Sequence, residues 1–372
     1  MSFNRFVTRA AIACLLSVLT FSSNTEAQSS TTESEEVKIG AVLSLTGLGQ
    51  TWGEQARRGI QLAENEINNT GGINGKKLTV IVEDSASQPA RALSAFQKLT
   101  TQDGVNAVAG DILSFLTLPM VPAANQQKML LVTPSIFDTD LPPQHDYFFT
   151  TCPTKESIRP SFVRFLDLNP KLKRIGIICA ENSWGKTYLD VWQSVLKERK
   201  MEPVDVVCTQ DMGTDFRAEV LRLKKSKPDA VIIPFGIDRA VRRLREQKMD
   251  VTILSTSDVS EAIYRRKFPF AEAEGIYFND WPPGARFRDA FENLYGTHPI
   301  MEPQNMYEAV RSVAYALRLD AKNPKAAMSK LRYDGAGGVI DFTRSHAGNG
   351  ALSKLMVVRE FEIVEAQETP GE

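Results

Sequence analysis

IGAVLSLTGLGQTWGEQARRGIQLAENEINNTGGINGKKLTVIVED, residues 39–84, settles the fold class. With Val37 and Lys38 before it, the apolar run to Leu43 reads as a strand, and the Ser44–Gly49 segment that follows reads as a turn. Ala56, Ile60, Ala63 and Ile67 then recur every three or four residues, which puts them on one face of a helix. Asn69-Thr70-Gly71-Gly72 stops that helix, and 78–82 is the next strand, ending in Glu83-Asp84. A strand, a long helix and a second strand make a βαβ unit, whose two strands are parallel and whose crossover is right-handed.

The alternation continues outward. A helix is expected over 89–101, with Pro89 in its first turn, then a strand at 106–109, a helix at 115–127 and a strand at 129–132. After Tyr147-Phe148-Phe149-Thr150-Thr151 the pattern restarts: strands at 174–179, 204–208, 230–234 and 252–255, with helices at 184–200, 216–226 and 239–248 between and after them. Further strands are expected at 275–278, 338–342 and 355–361, and further helices at 287–295 and 305–319. The fold class is therefore α/β, with two doubly wound parallel-sheet lobes. The late helices have no sheet of their own and must cover one of these lobes, so the chain crosses between lobes more than once.

The 372 residues suit two domains, and 42% hydrophobic residues suffice for two cores. Lys+Arg is 44 against Asp+Glu 45, which leaves no basic excess for a nucleic-acid partner. The N-terminus reads as a separate object. Arg5 and Arg9 precede the apolar run Ala10 to Phe21, and Ala27 ends a small-residue cleavage pattern, so residues 1–27 are expected to be a cleaved signal peptide. The apolar run is too short for a membrane anchor. Residues 28–36 read as a disordered leader. Cys152, Cys179 and Cys208 remain, allowing at most one internal disulfide; the favoured reading makes all three small buried apolar residues.

In open α/β sheets, ligands bind beyond the carboxyl ends of the strands, at the switch point of strand order. The loops to search are 44–52, 110–114, 133–137, 180–184, 235–237 and 255–258. They hold hydroxyls, glycines and aromatics but no catalytic set: His145, His298 and His346 are scattered, and no G-x-S-x-G or H-E-x-x-H is present. Gly47-Leu48-Gly49 begins like a dinucleotide fingerprint, but the third glycine position is Trp52, whose indole would block a pyrophosphate. No cofactor, metal or catalytic residue is expected. Trp52 and Trp184 can wall a cleft, or simply pack at a helix start. Ser114 can cap a helix and equally meet an anion. Asp258 can accept an ammonium, although a solvated loop aspartate is the commoner outcome.

The same 39–84 block, together with GVNAVAGDILS, LLVTPS, NSWGKTYLD, TDFRAEVLRLKKSKPDAVII and MYEAVRSVAYAL in this order and spacing, resembles the leucine/isoleucine/valine-binding protein family, type I periplasmic substrate-binding proteins of branched-chain amino acid ABC transporters. The resemblance covers roughly 37–361. It implies two lobes joined by a three-stranded hinge: lobe one 37–150 plus 281–338, lobe two 152–277 plus 342–365, with crossovers near 151, 278–280 and 339–342. The family's first-loop aromatic falls on Trp52, and the serine that holds the ligand's carboxylate falls on Ser114. Backbone at Ser135 and the side chain at Phe137 follow, the latter in place of the family's usual hydroxyl. The second-lobe aromatic falls on Trp184, where tyrosine is usual, and the ammonium-binding acid on Ser257 or Asp258. Phe115-Leu116 replaces a run of hydroxyls, so the site is more apolar than an ordinary amino-acid clamp.

The resemblance implies a monomeric, non-enzymatic periplasmic protein. It would close on a small molecule (an amino acid, amide or related carboxylate) and deliver it to an ABC transporter permease. The alternative within the same fold is a sensor that passes its signal to a membrane receptor or kinase.

Overall fold

The computed structural model describes residues 36–210 and 215–367. The expected signal peptide and nearly all of the expected leader lie outside the described residues. Glu36, the last leader residue, already belongs to the first strand.

Strand β1 (Glu36–Leu43) shows why the sheets form. Ile39, Ala41 and Leu43 enter one core, while the intervening Val42 enters another, as a central strand covered on both faces requires. Helix α1 (Gln50–Asn69) follows with Ala56, Ile60, Ala63 and Ile67 buried. Gly72, at φ +68°, ends its turn by sending its N–H to the Ile67 carbonyl (2.9 Å). Then come β2 (Lys77–Asp84), α2 (Pro89–Thr101), β3 (Ala107–Gly110), α3 (Ser114–Thr117), α4 (Met120–Gln127), β4 (Leu131–Thr133) and β5 (Phe148–Pro153). The single helix expected at 115–127 is two, interrupted at Leu118-Pro119, where proline lacks the N–H a continuous helix needs.

The second programme runs through α5 (Lys155–Leu168), β6 (Ile175–Ala180), α6 (Ser183–Glu198), β7 (Asp205–Thr209), α7 (Arg217–Lys225), β8 (Ala230–Ile233), α8 (Ile237–Glu246), β9 (Thr252–Ser255), α9 (Asp258–Tyr264), α10 (Phe270–Ala273) and β10 (Tyr277–Asp280). Helix α5 is absent from the sequence expectations. Pro160 stands inside it, yet Ile158, Phe162, Phe165 and Leu166 bury one face. The chain ends with α11 (Ala285–Tyr295), α12 (Met301–Leu319), α13 (Pro324–Met328), β11 (Arg332–Asp334), β12 (Val339–Asp341), β13 (Ala347–Asn349), β14 (Lys354–Arg359) and β15 (Glu362–Glu365).

One sheet has the order β11-β12-β13-β5-β4-β3-β1-β2 and the other β15-β14-β10-β9-β8-β6-β7. Strand order reverses between β1 and β3 in the first sheet and between β6 and β8 in the second, so each lobe has one switch point. In lobe one, α1, α11, α12 and α13 cover one face and α2, α3 and α4 the other. In lobe two, α7–α10 cover one face and α5 and α6 the other.

The chain passes from lobe one to lobe two after β5, and back after β10 through residues 281–284. The third crossing differs from expectation. β12 and β13 still belong to the first sheet, with β13 paired in parallel to β5, so the chain crosses at 350–353 and not at 339–342. Three residues of Ala-Gly-Asn carry no strand pattern, and only pairing with β5 and β12 makes them one. The cysteine reading is also corrected in part. Cys179 and Cys208 stand opposite each other on β6 and β7, with Cα atoms 4.3 Å apart, and form a disulfide, while Cys152 is a buried free thiol.

Candidate functional site

The loops beyond β1, β2 and β3 are tied together by carboxylates. Asp84 accepts the Leu45 and Thr46 N–H groups and the Thr46 hydroxyl (2.9, 3.2 and 2.6 Å). Asp111, fully buried just after β3, accepts from the Ser44 and Ser85 hydroxyls (3.0 and 2.7 Å) and from the Ile112 N–H (2.6 Å). Burial dominates these donors and pushes its pKa up to about 6. The Asp111 carbonyl in turn accepts from Thr117 and Thr133 (3.0 and 2.7 Å), whose hydroxyls also meet Ser135 (2.9 and 2.8 Å). Sequence reading overlooked Asp111, although a carboxylate in a switch-point loop was a usable signal.

This network sets the ground for Trp52 and Ser114. Trp52 lies half-buried in the first turn of α1. The start of that helix lies so close to the first loop that a Cβ on Gly53 would meet the Ser44 carbonyl at 2.0 Å. Ser114 is the first residue of α3, and the N-cap position belongs to Leu113, so the serine is not the cap. It faces lobe two, with its Oγ 3.4 Å from the Ser183 Oγ at the start of α6. Trp184, the next residue, is half-buried, at 4.8 Å from the Tyr188 ring and 6.5 Å from the Phe235 ring. The switch-point loops of the two lobes thus meet along one seam.

Other nominated residues stand elsewhere. Phe137 is buried and packs edge-on against Tyr188 of lobe two at 6.2 Å, so its ring serves the core instead of walling a cleft. Ser135 contributes its hydroxyl to the Thr117–Thr133 network, in addition to whatever its backbone offers. Asp258 accepts the Ile237 N–H at the start of α8 (2.8 Å), and burial followed by repulsion from Glu261 pushes it up to about 7. Ser257 precedes α9, and its carbonyl accepts the Ser260 hydroxyl (2.9 Å). Further cross-lobe contacts, unseen in the sequence, surround the seam: Thr187 donates to Asp140 (3.3 Å) and the Lys155 N–H to Asp138 (2.7 Å).

A cavity of about 160 Å³ lies between α9, the end of β10, the α11–α12 connection and β14–β15. None of the seven nominated residues lines it. Among the described residues no group of three or more His, Cys, Asp or Glu side chains is placed to hold a metal, and no helix is long and apolar enough to cross a membrane.

The comparisons agree with this architecture. Over 329 residues the chain is 29% identical to a Leu/Ile/Val-binding protein of Rhizobium johnstonii, covering 81% of this chain and 88% of that one. It is 25% identical over 312 residues to Leu/Ile/Val-binding protein homolog 3 of Brucella melitensis, covering 81% and 84%. Among solved structures, the branched-chain amino acid transporter substrate binding protein of Streptococcus pneumoniae in complex with isoleucine aligns with a TM-score of 0.78 at 23% identity, covering 88% of this chain and 97% of that one. A solute binding protein of an ABC transporter from Rhodopseudomonas palustris, in complex with 3,4-dihydroxy benzoic acid, aligns with a TM-score of 0.76 at 19% identity, covering 89% and 96%. A family model described as "Periplasmic binding protein" matches residues 36–362, which takes in all three crossings and every strand but β15. With two doubly wound lobes, two switch points and a shared seam, the chain belongs to the periplasmic binding protein family.

Proposed function

We propose that this protein works in the periplasm as a monomer that captures a small molecule between its lobes and delivers it to an ABC transporter permease. The ligand class is an amino acid, amide or related carboxylate. The observation that carries this reading is the seam itself: Ser114 of lobe one stands 3.4 Å from Ser183 of lobe two, next to Trp184. A molecule touching both rims makes its full set of contacts only when the lobes are together. It therefore stabilises the closed arrangement by that difference in contact. A micromolar ligand needs about −8 kcal/mol net. A carboxylate on the serine hydroxyls with apolar contact to Trp52 and Trp184 is enough chemistry for that. Both ligands named among the structural relatives, isoleucine and 3,4-dihydroxy benzoic acid, carry a carboxylate.

Calorimetry with isoleucine, leucine, acetamide and 3,4-dihydroxybenzoate tests the proposal. At least one is expected to bind, and Ser114→Ala and Trp184→Ala are each expected to weaken it at least tenfold. If both variants bind as tightly as the parent, the seam is not the site.

A further inference from the structure

The cavity at the second crossing has a composition of its own. Ser260 and Tyr264 line it from α9, Asp280 and Trp281 from the end of β10, and His298 and Met301 from the α11–α12 connection and α12. Its size is close to the roughly 150 Å³ that accommodates a benzene ring. Three buried polar atoms without a partner lie on the residues in and beside it: the indole Nε1 of Trp281, Oε2 of Glu302 and Nη2 of Arg265. Trp281 is only 5% exposed and lines the cavity, so its N–H is a desolvated donor with no acceptor, a costly state for a protein group.

The charges around the cavity lean negative. Asp280 accepts the Ser260 hydroxyl and the Trp281 backbone N–H (2.7 and 2.8 Å), and burial pushes it up to about 6. Glu261 is paired with Arg265, Glu292 holds His298 (2.7 Å), and Arg288 is paired with Asp289 (2.8 Å). On β14, Lys354 stands opposite Asp280 but turns its ammonium to Glu365 (2.8 Å). The Tyr264 and His298 rings lie 4.3 Å apart at a 30° tilt, and both line the same cavity as the Asp280 carboxylate.

From this juxtaposition we propose a second binding site at the interlobe crossing, separate from the seam, for a compact ammonium compound that also carries a hydrogen-bond acceptor. The ammonium sits on Asp280 against the Tyr264–His298 ring pair, the acceptor takes the Trp281 indole N–H, and the apolar body lies on Met301, Met356 and Ile363.

Equilibrium dialysis and calorimetry with isoamyl alcohol, isoamylamine and leucinol test this on the intact protein. Leucinol is expected to bind more tightly than isoamylamine, and isoamyl alcohol at least tenfold more weakly than either. Leucinol binding is expected to strengthen several-fold between pH 5 and pH 7.5 as Asp280 ionises, and to lose that pH dependence in Asp280→Asn. Trp281→Phe is expected to cancel the advantage of leucinol over isoamylamine, and Met301→Trp to block both, while Trp52→Ala and Ser114→Ala leave both unchanged. The proposal is overturned if neither amine binds at 10 mM, if the alcohol binds as well as the amines, or if Ser114→Ala weakens leucinol as much as Asp280→Asn. Thermal melts of each variant show that it is folded, and retention of isoamylamine binding in Trp281→Phe serves as a second control.

Discussion

Asp111 shows how one side chain can organise a rim. Its carboxylate gathers two serine hydroxyls and the following backbone N–H groups at a position closed to bulk solvent. Because its folded pKa stands at about 6, above the ordinary 3.8, its contribution to stability is complete below about pH 4 and is lost as pH rises through about 6. That shift corresponds to about 3 kcal/mol. Urea unfolding between pH 4 and pH 8 is expected to show this loss in the parent and a flatter profile in Asp111→Asn, whose amide keeps the shape and cannot ionise. Asp111→Ala, which leaves the donors without an acceptor, is expected to cost about 2–4 kcal/mol at pH 7. Ser114 and Trp184 behave differently at this scale: their contacts reach across the lobes, so their loss is expected to show in binding more than in unfolding.

Among the elements, α1 and α12 make the tightest helix contact that the sequence hides. The two helices approach so closely that a Cβ on Gly59 would stand 2.0 Å from the Pro303 carbonyl oxygen. Nothing in the periodicity of α1 calls for glycine there, because the constraint comes from a helix more than two hundred residues away. Gly59→Ala normally favours a helix by about 1 kcal/mol. Here it is expected to destabilise by about 3 kcal/mol, since two backbones must separate and a packed layer must shift. Thermal unfolding of Gly59→Ala, with Gly71→Ala as the control, checks this. Gly71 has a positive φ and open space around it, so any cost there is local strain without an inter-helix clash.

The whole molecule places like charges across the lobe boundary. Glu302, in the first turn of α12, faces Glu261 of α9 and Arg265 at that helix's end and lies near Asp280; burial first, and Glu261 next, push it up to about 8. Separating the lobes would return it to water. The closed arrangement therefore holds a proton on Glu302, and its stability is full below about pH 4.5 and lost as pH rises through about 8. Small-angle scattering of the free protein is expected to show a larger radius of gyration at pH 9 than at pH 6, and Glu302→Gln is expected to abolish the change. An unchanged radius in the parent would mean that the boundary is indifferent to this charge.

The βαβ programme, its repetition and the loops in which to look were all written locally. Helical and strand periodicities and the glycine stops are properties of contiguous residues, so Trp52, Ser114 and Trp184 were legible as positions at helix starts just beyond strand ends. The third crossing at 350–353, the turn of Phe137 into the core of lobe two, the pairing of Cys179 with Cys208, and the facing of Ser114 to Ser183 were decided by tertiary structure alone. Each depends on a neighbour remote in the chain, and local pattern carries no information about which remote surface a residue will meet.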